Sequence, residues 1–285
     1  MYSFPIGAFM DCATYPVDES IRIALATKTA GFQLGAAHGE YAPENMTPAK
    51  IAELNDKMRS NGLVFSALCG DIGRGFGHAE LNPGLIEKSK RILDLAKELG
   101  TDIVTTHIGV VPDDPAVDRY KIMQEACYEL SRYADSIGSH FAIETGPETS
   151  AVLKGFLDQL GSTGVAVNLD PANLVMVVGD DPVEAVHNLK DYIVHTHAKD
   201  GIMINRCNPE ILYGVIPPPA DFEDKEWFRE VLLGQGSVDF PAYLKALEEI
   251  GYRGFLTIER SDIGSDPVKA ITECADYLRS VIAEN

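Results

Sequence analysis

The chain is short of cysteine, short of positive charge and without a long apolar run. Its five cysteines, Cys12, Cys69, Cys127, Cys207 and Cys274, are scattered over 285 residues. Their number is odd and no CxxC pair occurs, which argues against a disulfide-stapled scaffold and reads as idle or buried thiols in a reducing compartment. Lys and Arg total 24 against 43 Asp and Glu, a formal net charge of −19. Such a surface repels phosphate backbones and anionic lipid, so neither a nucleic-acid nor a membrane partner is expected. A local basic pocket stays open. No stretch approaches the ~20 apolar residues of a membrane span. The first residues, MYSFPIGAFMD, have no basic n-region and no signal-like apolar core, so a cytoplasmic protein is expected.

What is present is an ordinary globular composition, 45% hydrophobic and 24% charged, in a chain long enough to bury a large core. Short β-branched runs alternate with amphipathic stretches. Strands are expected at 4–9, 32–36, 63–68, 102–107, 140–144, 164–169, 192–197 and 254–259. Helices are expected at 16–30, 47–61, 84–99, 115–137, 149–160, 181–190, 239–250 and 266–283. Gly31 is expected to close the first helix, and Thr47–Pro48 to open the second as N-cap and first turn. The alternation demands parallel strands with right-handed crossovers, and eight such units close into a (β/α)8 barrel. No linker or composition break divides the chain, so residues 1–285 read as one domain. The anomaly is 200–237, after the seventh strand, with Pro217, Pro218 and Pro219 followed by Phe222, Trp227 and Phe228. It reads as a long irregular loop, either a solvated insertion or a lid over the barrel mouth.

In a parallel barrel the chemistry sits at the C-terminal strand ends. The last four expected strands end in Glu144, Asp170, His197 and Glu259. A single such residue could simply cap a helix, and Asp170 before Pro171 fits that role. Four in succession are different. Three carboxylates converging without a cation would repel, and some would have to take up protons. One divalent metal removes that cost, and three oxygen donors with one imidazole suit Mn, Mg, Co or Zn, with manganese favoured. His195 and His197 point the same way; His197, nearer the mouth, is taken as the ligand and His195 as a layer residue or supporting partner. His107 ends the fourth strand and His38 follows the second, and both are candidates to line the pocket. His140 sits at the wrong end, and His78 and His187 read as surface. Lys199, with Asp200 beside it, could meet a sugar oxyanion or form a rim salt bridge. Asn173 could bond a hydroxyl or open the helix after Asp170.

The stretches AIETGPE (142–148), NLDPANL (168–174), HTHAKDG (195–201) and LGQGSVDFPAYLKALEEIGYRGFLTIE (233–259) resemble the xylose isomerase-like TIM-barrel superfamily. That superfamily includes sugar isomerases, ketose 3-epimerases, inosose dehydratases and endonuclease IV. The resemblance covers essentially the whole chain. In the ketose epimerases a Glu, Asp, His and Glu hold the metal, which implies Glu144, Asp170, His197 and Glu259 here, with the two glutamates acting as acid and base. Two departures stand out. Asn173 occupies a position where those epimerases usually carry His, and Lys199 and Arg206 are the cations nearest to where they carry Arg. Endonuclease IV needs a larger ligand set, and the charge of this chain disfavours DNA.

The resemblance implies a small-molecule keto-sugar as partner and a metal-stabilised enediolate formed by loss of the proton alpha to its carbonyl. Proton return to the opposite face gives epimerisation, and return to the neighbouring carbon gives isomerisation. Loss of a β-substituent makes the enzyme a dehydratase or lyase on a keto-sugar or keto-inositol. A metal-dependent phosphodiesterase and a non-catalytic sugar-binding barrel are the readings in other classes. Trp227 and Phe228 would supply apolar cover in a lid. By analogy alone the chain could form a homo-oligomer, with 200–237 as an interface.

Overall fold

Eight of the short apolar runs pair edge to edge and close on themselves in the computed structural model, which describes residues 4–10, 14–261 and 265–284. Cys12 lies outside the described residues. The strands come in chain order as β1 (Ile6–Met10), β2 (Gly31–Gly35), β3 (Val64–Cys69), β4 (Ile103–Thr106), β5 (His140–Glu144), β6 (Val165–Leu169) and β7 (Ile193–Ala198). Then follow β8 (Asp200–Met203), β9 (Phe228–Val231) and β10 (Leu256–Ile258). The order around the barrel is β1, β10, β7, β6, β5, β4, β3, β2, and every neighbouring pair is parallel. With helices between the strands this is the expected (β/α)8 barrel.

The helices begin and end where local chemistry directs. Thr47 accepts the Lys50 N–H at 3.3 Å, and Pro48 takes the first helical position. Gly138 ends the helix Asp118–Ile137 in the left-handed region at φ 62°. Gly31 does not play that part for the first helix. That helix, Val17–Thr27, ends at Lys28, which takes the left-handed conformation at φ 55°. Gly31 is the first residue of β2, and a Cβ there would lie 2.0 Å from the Val64 carbonyl oxygen. Its glycine answers close strand packing rather than a helix end.

The segment expected to be irregular, 200–237, carries structure of its own. β8 and β9 pair antiparallel, Asp200 with Val231 through Met203 with Phe228, and Pro209–Leu212 forms one helical turn. Neither strand exceeds four residues, too short for alternation to show in the sequence. Both ends of the insertion meet on one buried carboxylate. Asp200 Oδ1 accepts the N–H of Gly201 at 2.8 Å and of Val238 at 3.1 Å, and Oδ2 accepts those of Gly234 and Gly236, each at 2.9 Å. A Cβ on Gly236 would fall 2.2 Å from Asp200 Oδ1, so this carboxylate occupies the space a side chain there would need, while Gly234 of the same turn has φ +81° and lies against the Tyr277 ring.

Alternation along the strands places the site. Phe141 and Ile143 of β5, Val165, Val167 and Leu169 of β6, and Leu256 and Ile258 of β10 are buried against the helices. Ala142, Asn168, His195 and Thr257 therefore face inward, and two residues on, so do Glu144, Asp170, His197 and Glu259. Beneath the site runs a bonded polar layer. His195 Nδ1 donates to Asn168 Oδ1 at 2.8 Å, and the Thr257 hydroxyl donates to His195 Nε2 at 2.8 Å. His195 thus belongs to the barrel interior. Burial, with His197 above it, keeps its pKa well below the usual histidine value and the ring neutral.

Candidate metal centre and active site

Glu144, Asp170, His197 and Glu259 converge at the C-terminal mouth of the barrel, each offering a donor atom within 4.8 Å of the others. His197 Nδ1 lies 3.2 Å from Glu259 Oε2, 3.3 Å from Asp170 Oδ2 and 3.5 Å from Glu144 Oε1. Asp170 caps the following turn as anticipated and also stands in the cluster. Its Oδ1 caps the following turn by accepting the Asn173 N–H at 2.9 Å, which leaves Oδ2 for the cluster.

The ring of His197 is fixed by a residue the sequence reading passed over. Gln33, inward on β2, donates from Nε2 to the Thr105 hydroxyl at 2.8 Å, so its Oε1 faces His197 Nε2 at 2.9 Å. Nε2 is thereby the donor nitrogen, and Nδ1 is left for the carboxylates. Phe9 of β1 stacks on the same ring at 6.5 Å between centroids. A glutamine at an inward position of an apolar strand was the available signal for Gln33.

The electrostatics of the cluster are those of a cation site. Burial disfavours charge on His197, but Glu259 and Glu144 outweigh it and raise its pKa well above the usual value. Burial likewise opposes ionisation of Glu259, yet His197 and Lys199 hold it well below the carboxylate range; Glu144 is lowered by His107 and His197. Glu144 and Glu259 remain ionised because positive charge stands beside them. The donor set of three carboxylates and a neutralisable imidazole, with donors this close, fits a divalent cation.

Lys199 and Asn173 join the cluster. Lys199 Nζ donates to Glu259 Oε2 at 3.0 Å and to Asn173 Oδ1 at 3.2 Å, and lies 3.5 Å from Asp170 Oδ2. Asn173 Nδ2 donates to Glu144 Oε1 at 3.1 Å. His107 flanks the other side, its Nε2 3.7 Å from Glu144 Oε1 and its Nδ1 3.0 Å from Asp71 Oδ2. Burial acts against its charge, but Glu144 and Asp71 raise its pKa to about 9. His38 is exposed and stands outside the cluster.

The insertion contributes a different aromatic from the expected one. Trp227 packs within the insertion, its ring 5.2 Å from that of Phe222 and beneath Lys225 Nζ at 5.6 Å. Tyr213, at the end of the short helix, has its ring 6.4 Å from that of His107. A Cβ on Gly146, where φ is +153°, would come within 2.8 Å of Asn173 Cβ and 3.2 Å of the Tyr213 hydroxyl. Nothing in the sequence marked Tyr213, because only the fold of the insertion returns it to the mouth. Among the described residues no helix is long and apolar enough to cross a membrane.

Comparison with known proteins agrees with the fold. The crystal structure of a xylose isomerase domain protein from Planctomyces limnophilus superposes with a TM-score of 0.78 at 26% identity, over 99% of this chain and 98% of that one. A xylose isomerase-like TIM-barrel protein from Mycobacterium smegmatis in complex with magnesium superposes at 0.71 and 20% identity, over 100% and 99%. A putative L-ribulose-5-phosphate 3-epimerase of Escherichia coli is 22% identical over 92% of this chain and 91% of its own length. The family model described as xylose isomerase-like TIM barrel matches residues 22–281, and the chain belongs to that family.

Proposed function

We propose that the chain is a divalent-metal-dependent isomerase or epimerase of a keto-sugar. The observation that carries this reading is the placement of Glu144 and Glu259. They enter one cation-binding cluster from β5 and β10, with β6 and β7 between them, so they flank it from two sides.

Glu144, Asp170, His197 and Glu259 would hold the cation, manganese in our reading. When bound it supplies a Lewis acid for the carbonyl and adjacent hydroxyl oxygens of the sugar, spreading the charge of an enediolate. One glutamate takes the proton alpha to the carbonyl, and the C–H electron pair moves into the forming C=C bond. A proton returns to the opposite face of the same carbon from the other glutamate's side, where the protonated neighbour, Lys199 beside Glu259 or His107 beside Glu144, supplies it through that carboxylate. The site as a whole ends with as many protons as it began, and the carbon is inverted. Return to the neighbouring carbon yields the isomer; departure of a β-substituent instead yields the lyase product. Lys199 is placed to donate to a sugar oxygen. Asp71 holds the His107 Nε2 edge toward the same space, and Tyr213 covers it from water.

The test is a panel of keto-sugars in D₂O with Mn²⁺, followed by NMR. Deuterium alpha to the carbonyl is expected for the cognate sugar, and the product identifies which branch follows. Stoichiometric metal binding with no exchange for any keto-sugar, phosphorylated or free, would sink the proposal.

A further inference from the structure

After β3 the chain runs Gly70-Asp71-Ile72-Gly73-Arg74-Gly75-Phe76-Gly77. The glycines bring this segment against its neighbours. A Cβ on Gly75 would lie 2.5 Å from the Ile108 carbonyl oxygen, and one on Gly77 would lie 3.1 Å from Arg119 Cγ. Beside the segment opens a cavity of about 440 Å³ whose lining includes Arg74, His78, Arg119 and Tyr213. Among the described residues no Asp or Glu lines it, in a chain with 43 acidic residues and 24 basic ones. Two other cavities differ: one is walled by Asp113, Asp114, Glu148 and Glu210, the other by Asp18, Glu40 and Glu53.

Arg119 brings a guanidinium to this wall, and its Nη2 pairs with Glu210. A guanidinium presents five N–H donors in a planar fork, the shape that matches a phosphoryl group. The cavity also adjoins the candidate active site. Ile108 and Gly109 of its wall directly follow His107, and Tyr213 belongs to its wall while its ring lies 6.4 Å from His107. A liquid water occupies about 30 Å³, so the space holds a phosphoryl group and the end of a carbon chain.

We propose that this cavity is an anion subsite for a phosphoryl group carried by the substrate. The anion site rests on the cavity alone; that the group arrives on a keto-sugar rests on the function proposed above.

Inorganic phosphate is the probe, followed by ³¹P NMR at fixed ionic strength, with EDTA and again with Mn²⁺. One phosphate per chain is expected under both conditions. Affinity should fall at least tenfold in Arg74→Gln and in Arg119→Gln, and stay unchanged in Lys57→Gln, whose ammonium lines a different cavity. Arg74 is exposed, so Arg74→Gln tests the site without breaking the Arg119–Glu210 pair. No saturable binding, or equal affinity in all three variants, overturns the anion site. In a second arm, a ketopentose 5-phosphate is expected to displace the phosphate where the free ketopentose does not. Phosphate that stays bound at saturating sugar phosphate overturns the substrate assignment. If phosphate binds as described while no keto-sugar exchanges deuterium, the keto-sugar reading fails and the anion site stands.

Discussion

Asp71 Oδ2 holds His107 Nδ1 at 3.0 Å, and this bond leaves the opposite ring nitrogen, Nε2, 3.7 Å from Glu144 Oε1. A carboxylate behind an imidazole selects the tautomer and fixes the ring plane. Asp71→Asn is expected to lower the exchange rate about 10- to 100-fold, as loss of such supporting partners does elsewhere, at unchanged metal content. The pH profile supplies the decisive readout. Asp71 helps raise the His107 pKa to about 9, so its loss should move the alkaline limb to lower pH. A variant whose alkaline limb stays put would assign Asp71 a purely architectural part.

Metal affinity should rise with pH. The carboxylates hold the proton on His197 well above its usual range, and a ligating imidazole must be neutral. The folded, metal-free chain therefore binds more protons than the metal-bound one, and binding releases them. Calorimetry in buffers of different ionisation enthalpy is expected to show net proton release. A pH-independent affinity with no release would contradict the ligand assignment of His197.

Ligand and base can be separated at Glu259. Glu259→Gln keeps an oxygen donor but accepts no proton at neutral pH; it should retain much of the metal and lose about 10²-fold or more in rate. Glu259→Ala should lose both, and Glu144 should behave in the same way. Asp170→Asn should act through metal affinity. If Glu259→Gln exchanges the alpha proton at the wild-type rate with metal bound, the base is another group, with His107 or Lys199 next in line.

Glu148 carries a stability prediction. It is buried, its Oε2 accepts the Val111 N–H at 3.2 Å, and its Oε1 has no partner. Burial raises its pKa to about 8. Between its unfolded value, about 4.3, and 8 the folded chain binds the extra proton, so stability falls as pH rises through that window and then levels. Glu148→Gln keeps an acceptor for Val111 and removes the titration. It is expected to stabilise the fold at pH 7 by about 1–3 kcal/mol and to flatten that stretch of the denaturation profile. A variant less stable than wild type at pH 8 would show that a polar partner for Oε1 matters more than the proton.

Tyr213→Ala should raise KM about tenfold, whereas Trp227→Ala should leave turnover within about twofold, because Trp227 packs on Phe222 inside the insertion. Steady-state kinetics on the cognate sugar decide between them, and the reverse order would restore Trp227 as the covering residue.

The barrel and the four convergent donors were legible in the sequence for a common reason. The strands are short apolar runs between amphipathic stretches, and on the last four of the barrel the polar residue that ends the run stands out. Gln33 and Asn168 were harder to see because each lies within an apolar strand, where a polar side chain looks like a lapse until its partner across the barrel is known. Asp71 and Tyr213 lie in loops, where no period constrains direction. Gly31 misled because glycine after a helix commonly marks its end, while here the close approach of Val64 selects it.

Asp200 gathers the N–H groups of Gly201, Gly234, Gly236 and Val238 on one carboxylate. The chain between Gly201 and Gly234 is therefore knotted at the base of the ribbon, with lighter ties beyond it where Glu210 pairs with Arg119 and Glu230 accepts the Ser261 N–H. Such a layout makes the insertion an exchangeable cassette. A segment of different length or composition, joined above the same knot, would leave the carboxylates of the mouth where they stand while presenting them with a new ceiling. Selectivity can then drift in one part of the gene while the reaction chemistry is kept in another.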